Sequence, residues 1–414
     1  MGGNNPQLMV NEIAEKIAEG KVNISLLCGA EALHSISLAR KKGKSVRWPE
    51  YDSLPEIYGE TKAGSNDIEI QHGLRLPIHA FPLFENALRE EENISVDANI
   101  QKTSEMCSSF AKVAQANPHA WFRDGKSAEE IRTITPSNRM ICFPYSKYMN
   151  SLWNVDQATA IILTSVAPAK KLGIPAKKWV FIHGAGDCVD AWCPTEKLNY
   201  CSVPGITAAA EHALQQAGIE ITDVDIFDLY SCFPCVPKLA RKMIGIETVD
   251  WGSLTITGGL AYFGGPGNNY SSHAICSMVE RLRNQPGRFG LVYGTGWYLA
   301  KHSVGIYAGR PKEGEFGTVD REGIRRKIES LPYPRFTAEA RGKASLETFT
   351  VVYDRDGQPD YAIIIGRQDD GQRFIANTSG DSSLFEHLMT HDVVGLKGKV
   401  KYLVEKDINV FDVS

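Results

Sequence analysis

The chain has 414 residues, 43% of them hydrophobic and 23% charged, with 45 Lys and Arg set against 49 Asp and Glu. That length predicts two or three domains with real cores, and the composition excludes wholesale disorder. The slight acidic excess argues against a nucleic-acid binder driven by bulk positive charge, and no apolar run is long enough to predict a membrane span.

Nine scattered cysteines form neither a disulfide framework nor a zinc pattern, so a reducing compartment and no metal site are expected. The N-terminus lacks the basic and apolar regions of a signal peptide, and Asp-Val-Ser at the end is no peroxisomal address. A cytoplasmic location is the expectation.

In chain order, Asn5 and Pro6 predict a helix start and Gly20 its end, with Met9, Ile13 and Ile17 on one apolar face. Val22 to Cys28 reads as a strand. Lys41 to Asp156 reads as a long excursion with its own helices, outside any regular sheet. Ala160 to Thr164 resumes as a buried strand.

From Lys178 the pattern is regular. Strands are predicted at Trp179 to Ile182, Asp225 to Tyr230, Leu254 to Thr257 and Phe289 to Tyr293. Helices are predicted at Thr207 to Ala217, Pro237 to Ile244 and Ser271 to Arg283. The alternation implies an α/β layer with a mainly parallel sheet. After Pro332 and Pro334 the pattern changes to strands separated by Asp356-Gly357 and Asp370-Gly371, both strong hairpin turns. Leu346 to Tyr353, Asp360 to Arg367, Arg373 to Thr378, Val393 to Val404 and Ile408 to Val413 predict a small antiparallel β domain, barrel-like in form.

A short repeat is visible. Gly3-Asn4-Asn5, a helix and Leu26 to Gly29 recur as Gly267-Asn268-Asn269, a helix and Leu291 to Gly294, which fits a duplicated fold. The segment Thr257 to Asn269 carries Gly258, Gly259, Gly264, Gly265 and Gly267 just before a helix. So much glycine predicts a loop whose backbone touches a ligand, at a helix N-terminus able to hold an anion or oxyanion.

These motifs resemble those of the thiolases. Thr-Gly-Gly followed by a Gly-x-Pro loop is similar to the His-bearing thiolase loop. Asp228 to Phe233 resembles the His-Asp-Cys-Phe segment of sterol-carrier-protein-type thiolases. Val155-Asp156-Gln157-Ala158 resembles the return from the thiolase loop domain, and the C-terminal β segment is similar to the additional domain of thiolase-like proteins of type 1. The resemblance covers essentially the whole chain.

It implies a layered αβα thiolase-like fold with an incomplete N-terminal half over 1–177, including a loop domain at about 41–156. A C-terminal half over 178–330 and an additional β domain over 334–413 complete it. It also implies that strands preceding the Asn5 helix in thiolases are absent, leaving Val22 to Cys28 and Ala160 to Thr164 with open apolar edges.

A thiolase uses a nucleophilic Cys at a helix N-terminus, a His that activates it and a second Cys as acid and base. By the resemblance, Gly3 to Asn5 stands where the nucleophile belongs and Gly265 where the His belongs. Val292 to Gly296 holds no Cys where the second belongs. Tyr230 and Ser231 replace the His-Asp pair, while Cys232 and Phe233 match. The resemblance therefore implies an acyl-CoA-handling protein of the acetyl-CoA acetyltransferase class without the usual catalytic residues. CoA or acyl-CoA is its substrate or ligand, and no cofactor is tightly bound. Tyr230, Cys232 and His273 are the candidate catalytic residues, and Gly264, Gly265, Asn268 and Asn269 the candidate ligand-binding residues. Two alternatives stay open: a non-catalytic CoA-binding module working with a protein partner through the β domain, and a redox protein using Cys232 and Cys235.

Overall fold

A computed structural model describes residues 2–48, 50, 62–378 and 382–413. Helix α1 (Asn5–Ala18), with Pro6 in its first turn, leads to strand β1 (Ile24–Ala32) and helix α2 (Leu33–Lys41). Helices α3 (Asp67–Gln71), α4 (Pro77–Glu91), α5 (Val96–Ala116) and α6 (Ala128–Arg132) follow. Two short strands, β2 (Met140–Cys142) and β3 (Tyr145–Ser146), then precede β4 (Asp156–Thr164) and helix α7 (Val166–Lys171).

The regular region runs β5 (Phe181–Val189), α8 (Pro204–Ala217), β6 (Val224–Leu229), α9 (Cys235–Ile244), α10 (Tyr270–Asn284), β7 (Phe289–Gly296) and β8 (Lys301–Ala308). Helix α11 (Arg321–Glu329) leads to β9 (Gly342–Tyr353), β10 (Pro359–Gln368), β11 (Arg373–Asn377), α12 (Ser382–Thr390), β12 (Lys397–Leu403) and β13 (Ile408–Val413).

The central sheet has the order β5-β8-β7-β6, and only β6 and β7 are parallel. The expectation of a mainly parallel sheet is thus corrected. Strand β8, not foreseen, enters antiparallel between β5 and β7, because the four residues Trp297 to Ala300 after β7 make a turn too short for a crossover helix. The strand expected at Leu254 to Thr257 is also absent; Trp251–Leu254 forms a 3-10 turn instead. Strand β5 runs to Val189, further than the apolar run showed, because Gly184, Gly186 and Asp187 interrupt its pattern.

Strands β1 and β4 pair antiparallel over their full length, Leu26 opposite Ile162 and Cys28 opposite Ala160. Leu27 and Leu163 turn to the core, whereas Leu26 is 63% and Ile162 67% exposed. Among the described residues this ribbon pairs with no other strand.

The C-terminal strands close into a barrel-like circuit, β9-β10-β11-β13-β12 and back to β9. Phe349, Ile364, Phe374 and Phe411 fill it as a core of their own. Strands β2 and β3 extend the same sheet through Cys142 opposite Val352, so the excursion is not outside all regular sheet, as its sequence implied. Helix α12 was likewise unforeseen, and β12 begins at Lys397, not at Val393. The barrel docks on α4: Asn86 Nδ2 donates to the Phe349 carbonyl (2.8 Å) and Thr348 Oγ1 to that of Leu83 (2.6 Å). On its other side the buried Arg373 pairs with Glu347 (2.9 Å) and donates to the Thr195 carbonyl (3.2 Å). Burying Arg373 is tolerable because its guanidinium is paired with Glu347 and hydrogen-bonded to backbone carbonyls.

Candidate functional site

Helices α1 and α10 lie against each other, each entered through a Gly-Asn segment, so the short repeat marks two adjacent helix starts. Ser271 Oγ on the first turn of α10 donates to the Gly3 carbonyl (2.5 Å), and Asn4 Nδ2 reaches Ser303 Oγ (3.3 Å) on β8.

Strand β6 aims the next residues at this junction. Tyr230 is buried and its amide donates to the Tyr293 carbonyl (3.0 Å), which carries the β6–β7 pairing one residue further. Its ring stands edge-on to Tyr270 at 5.4 Å between centroids. Phe263 of the glycine loop touches both Tyr270 (6.0 Å) and His273 (5.2 Å). Tyr230, Tyr270, Phe263 and His273 thus form one aromatic row that joins the end of β6 to α10.

Asn269 closes the row. Its Oδ1 accepts from Thr159 Oγ1 (3.1 Å) on β4, and its Nδ2 lies 3.5 Å from His273 Nε2. Burial, with a smaller contribution from His119, holds His273 down to about 4, so its ring is neutral near pH 7. Asn268 and Gly267 are exposed at the start of this turn.

Two positions carry no side chain, and their space is taken. A Cβ on Gly3 would stand 2.2 Å from the Tyr230 hydroxyl oxygen. A Cβ on Gly265 would stand 2.2 Å from Ser151 Oγ. Ser151 is held there because its amide donates to the Cys232 carbonyl (3.1 Å) while the Gly265 amide donates to the Leu152 carbonyl (2.9 Å). Cys232 and Gly265 are therefore tied to one short segment, although 32 residues of chain lie between them.

Burial raises the thiols of both Cys232 and Cys235 well above the ordinary range, and Cys235 Sγ donates to the Phe81 carbonyl (3.4 Å). A redox pair or a cysteine nucleophile needs the opposite shift. Tyr230 is displaced upward for the same reason and does not supply a phenolate. Among the described residues no group of three or more His, Cys, Asp or Glu is placed to hold a metal ion.

The residue that builds the loop was not singled out from sequence. Asp228, fully buried at the end of β6, accepts from the amides of Ile256 (2.9 Å) and Thr257 (3.1 Å) and from the hydroxyls of Thr255 and Thr257. Its other oxygen accepts from Tyr270 Oη (3.1 Å). Asp228 thus pins the start of the Thr-Gly-Gly loop and the first turn of α10 to one strand end. The signal was present as an acidic residue closing an apolar strand ahead of a Thr-rich turn. Asn117 adds a second pin, donating to the Thr257 carbonyl (3.0 Å).

Gln157 was also missed. Its Nε2 donates to the carbonyls of Phe263 (3.0 Å) and His119 (3.3 Å), which fixes the amide. Its Oε1 then faces Gly264, whose φ of +122° suits glycine, and has no partner among the described residues. The arrangement sets hydrogen-bonding side chains and backbone beside a glycine loop, and burial pushes its two thiols, Cys232 and Cys235, up and not down.

The chain is similar to several known proteins. The family described as thiolase-like protein type 1 additional C-terminal domain matches residues 324–402. The crystal structure of a monomeric SCP2-thiolase like protein type 1 from Mycobacterium smegmatis is 34% identical, with a TM-score of 0.86 over 100% of this chain and 83% of that one. A 3-ketoacyl-CoA thiolase of Pseudoalteromonas translucida is 28% identical over 136 residues, 33% of each chain. An acetyl-CoA acetyltransferase of Schizosaccharomyces pombe is 26% identical over 163 residues, 39% of this chain and 37% of that protein. The chain thus matches just over a third or less of the length of these curated relatives.

Proposed function

The chain belongs to the SCP2-thiolase-like proteins of type 1, and from that premise we propose that it is an acyl-CoA-handling protein that binds a CoA thioester without the cysteine chemistry of thiolases. One observation carries the second half of this reading: Gly3 and Gly265 stand where the nucleophile and its His belong by resemblance, and Tyr230 and Ser151 occupy the space that side chains there require. Mutating either glycine alone does not rebuild a reactive site.

The ligand-binding half rests on the loop. Gly264, Gly265, Asn268 and Asn269 lie at the entry to α10; the Gly265 and Asn269 amides are already given to the Leu152 and Pro266 carbonyls, so the exposed turn at Asn268 and the Asn side chains are what remain to meet a thioester carbonyl or an anionic group. The buried, unpaired Gln157 Oε1 facing Gly264 fits a ligand that brings an N–H or O–H donor, as the amide-bearing arm of CoA does. In this reading Tyr230, Cys232 and His273 line and position; they are not the source of a nucleophile.

Titration calorimetry of the full chain with acetyl-CoA tests the binding, with a thiolysis assay on acetoacetyl-CoA in parallel. The expected outcome is saturable heat and no turnover. Turnover abolished by a thiol-alkylating reagent overturns the non-cysteine reading, and absence of heat with every CoA species tried overturns the acyl-CoA reading.

A further inference from the structure

A concavity of about 580 Å³ lies between α5 and α10, and neither Tyr230 nor Gly3 lines it. Val113, Ala116 and Ile256 give it an apolar part, and the segment Asn117 to His119 also lines it. Lys112 reaches it from α5 and Arg281 from α10, and both are exposed. Neither cation has an ion pair or a side-chain hydrogen bond among the described residues. Other exposed cations behave in both ways: Arg325 pairs with Glu322 and Glu329, Arg132 with Asp97 and Lys102 with Glu92, whereas Lys171, Lys177 and Lys399 have no side-chain partner among the described residues; what marks Lys112 and Arg281 is that both line one concavity.

We propose that this α5–α10 groove binds a nucleoside phosphate. Three features select that chemistry. Two cations among the lining residues, one a point charge on α5 and one a planar fork on α10, suit a phosphate. The apolar part suits a flat base, and the volume is in the range of small-ligand sites. Glu280, the one carboxylate among the lining residues, opposes a bare anion but accepts from a ribose hydroxyl or a base amino group. A nucleoside phosphate satisfies all three; inorganic phosphate leaves Glu280 and the apolar part unmatched.

The groove is wired to the glycine loop. Asn117, which lines it, donates to the Thr257 carbonyl, and the Asn117 side chain in turn accepts the His119 amide (3.0 Å). The His119 carbonyl takes Gln157 Nε2. Along α10, Arg281 lies eight residues beyond His273, about 12 Å at the helical rise. A phosphate held at Arg281 therefore leaves room for a linked group to extend toward the loop. The nucleoside phosphate has two possible sources, a free nucleotide or the nucleotide end of CoA; the CoA source rests on the acyl-CoA reading above, and the free nucleotide does not.

The test uses ADP and CoA as separate probes in calorimetry of the full chain. It compares the parent, a Lys112→Glu/Arg281→Glu variant and a Lys399→Glu control that reverses a remote barrel charge. Both groove residues are exposed, and circular dichroism confirms that the variants fold. ADP affinity is expected to fall by about tenfold or more in the groove variant, the scale of losing charge-assisted bonds, and to hold in the control. No ADP binding by the parent, or equal loss in the control, overturns the groove. CoA weakened in step with ADP assigns the nucleotide end of CoA. ADP weakened with CoA unchanged assigns a free nucleotide. ADP bound by the parent with no CoA species bound supports the groove and overturns the acyl-CoA reading instead.

Discussion

The hydroxyl oxygen of Tyr230 lies 2.2 Å from the point where a Cβ on Gly3 would be, so the two residues divide one space between them. Tyr230 enters from the end of β6 and Gly3 from the residue before the cap of α1. A side chain at Gly3 must displace a buried aromatic ring that is packed against Tyr270. Gly3→Ala is expected to lower stability by about 1–3 kcal/mol, the usual cost of overpacking. Tyr230→Ala is expected to be destabilising by itself, by about 3–5 kcal/mol. The double variant is expected to be more stable than the sum of the two predicts, because the ring that clashes is gone. Chemical denaturation of the four proteins checks this, and additive losses reject the shared space.

Asp228 has four donors on one carboxylate oxygen and a fifth on the other. Asp228→Ala strands the amides of Ile256 and Thr257 in a buried setting. A loss of about 3–5 kcal/mol is expected, from at least two buried donors left unpaired at about 1–3 kcal/mol each. Limited proteolysis is expected to cut first within 255–267. Unchanged protection of that loop in a folded Asp228→Ala protein means that another residue holds it.

His302 is fully buried between Tyr293 Oη (3.0 Å) and the Leu299 carbonyl (3.2 Å), and burial holds it down to about 3. A folded-state value below the unfolded value near 6.5 means that the unfolded chain takes up the proton first. The stability tied to neutral His302 is therefore present above about pH 6.5 and is lost as pH falls toward about 3, by about a factor of ten in the unfolding constant per pH unit. His302→Gln lacks the titrating group. Its stability relative to the parent is expected to recover as the pH is lowered from 6.5 to 4. A constant gap across that range rejects the assignment.

Leu26 and Ile162 sit opposite each other on the outer face of the β1–β4 ribbon, with Cys28 opposite Ala160 beside them. No charge interrupts this patch, and both edges of the ribbon are unpaired among the described residues. Such a face binds apolar dyes and promotes association. Leu26→Lys with Ile162→Glu is expected to lower anilinonaphthalene sulfonate fluorescence and raise solubility without changing the circular dichroism spectrum. Dye binding equal to that of the parent locates the apolar patch elsewhere.

Local features were legible in the sequence because their causes are local. The hairpins at Asp356-Gly357 and Asp370-Gly371 follow from turn chemistry and alternation, and each joins the strands expected. Pro6 in the first turn marked α1, and Gly218 marked the end of α8. The run of glycines from Gly258 to Gly267 declared that backbone must come close to something. The family motifs added which layers to expect, and the absence of a Cys at Gly3 and of a His at Gly265 was plain from the letters alone.

Only the tertiary structure decided what fills those places, because the answer depends on residues far apart in the chain. Tyr230 reaches Gly3 across 227 residues, and Ser151 reaches Gly265 across 114. The antiparallel entry of β8 and the joining of β2 to β9 are choices between pairings that the same apolar strands permit, settled by turn length and by which faces must be covered. Asp228 looked like one polar residue closing a strand. Its role as the pin of the glycine loop exists only because folding brings five donors to its two oxygens, and burial makes each of those bonds costly to lose.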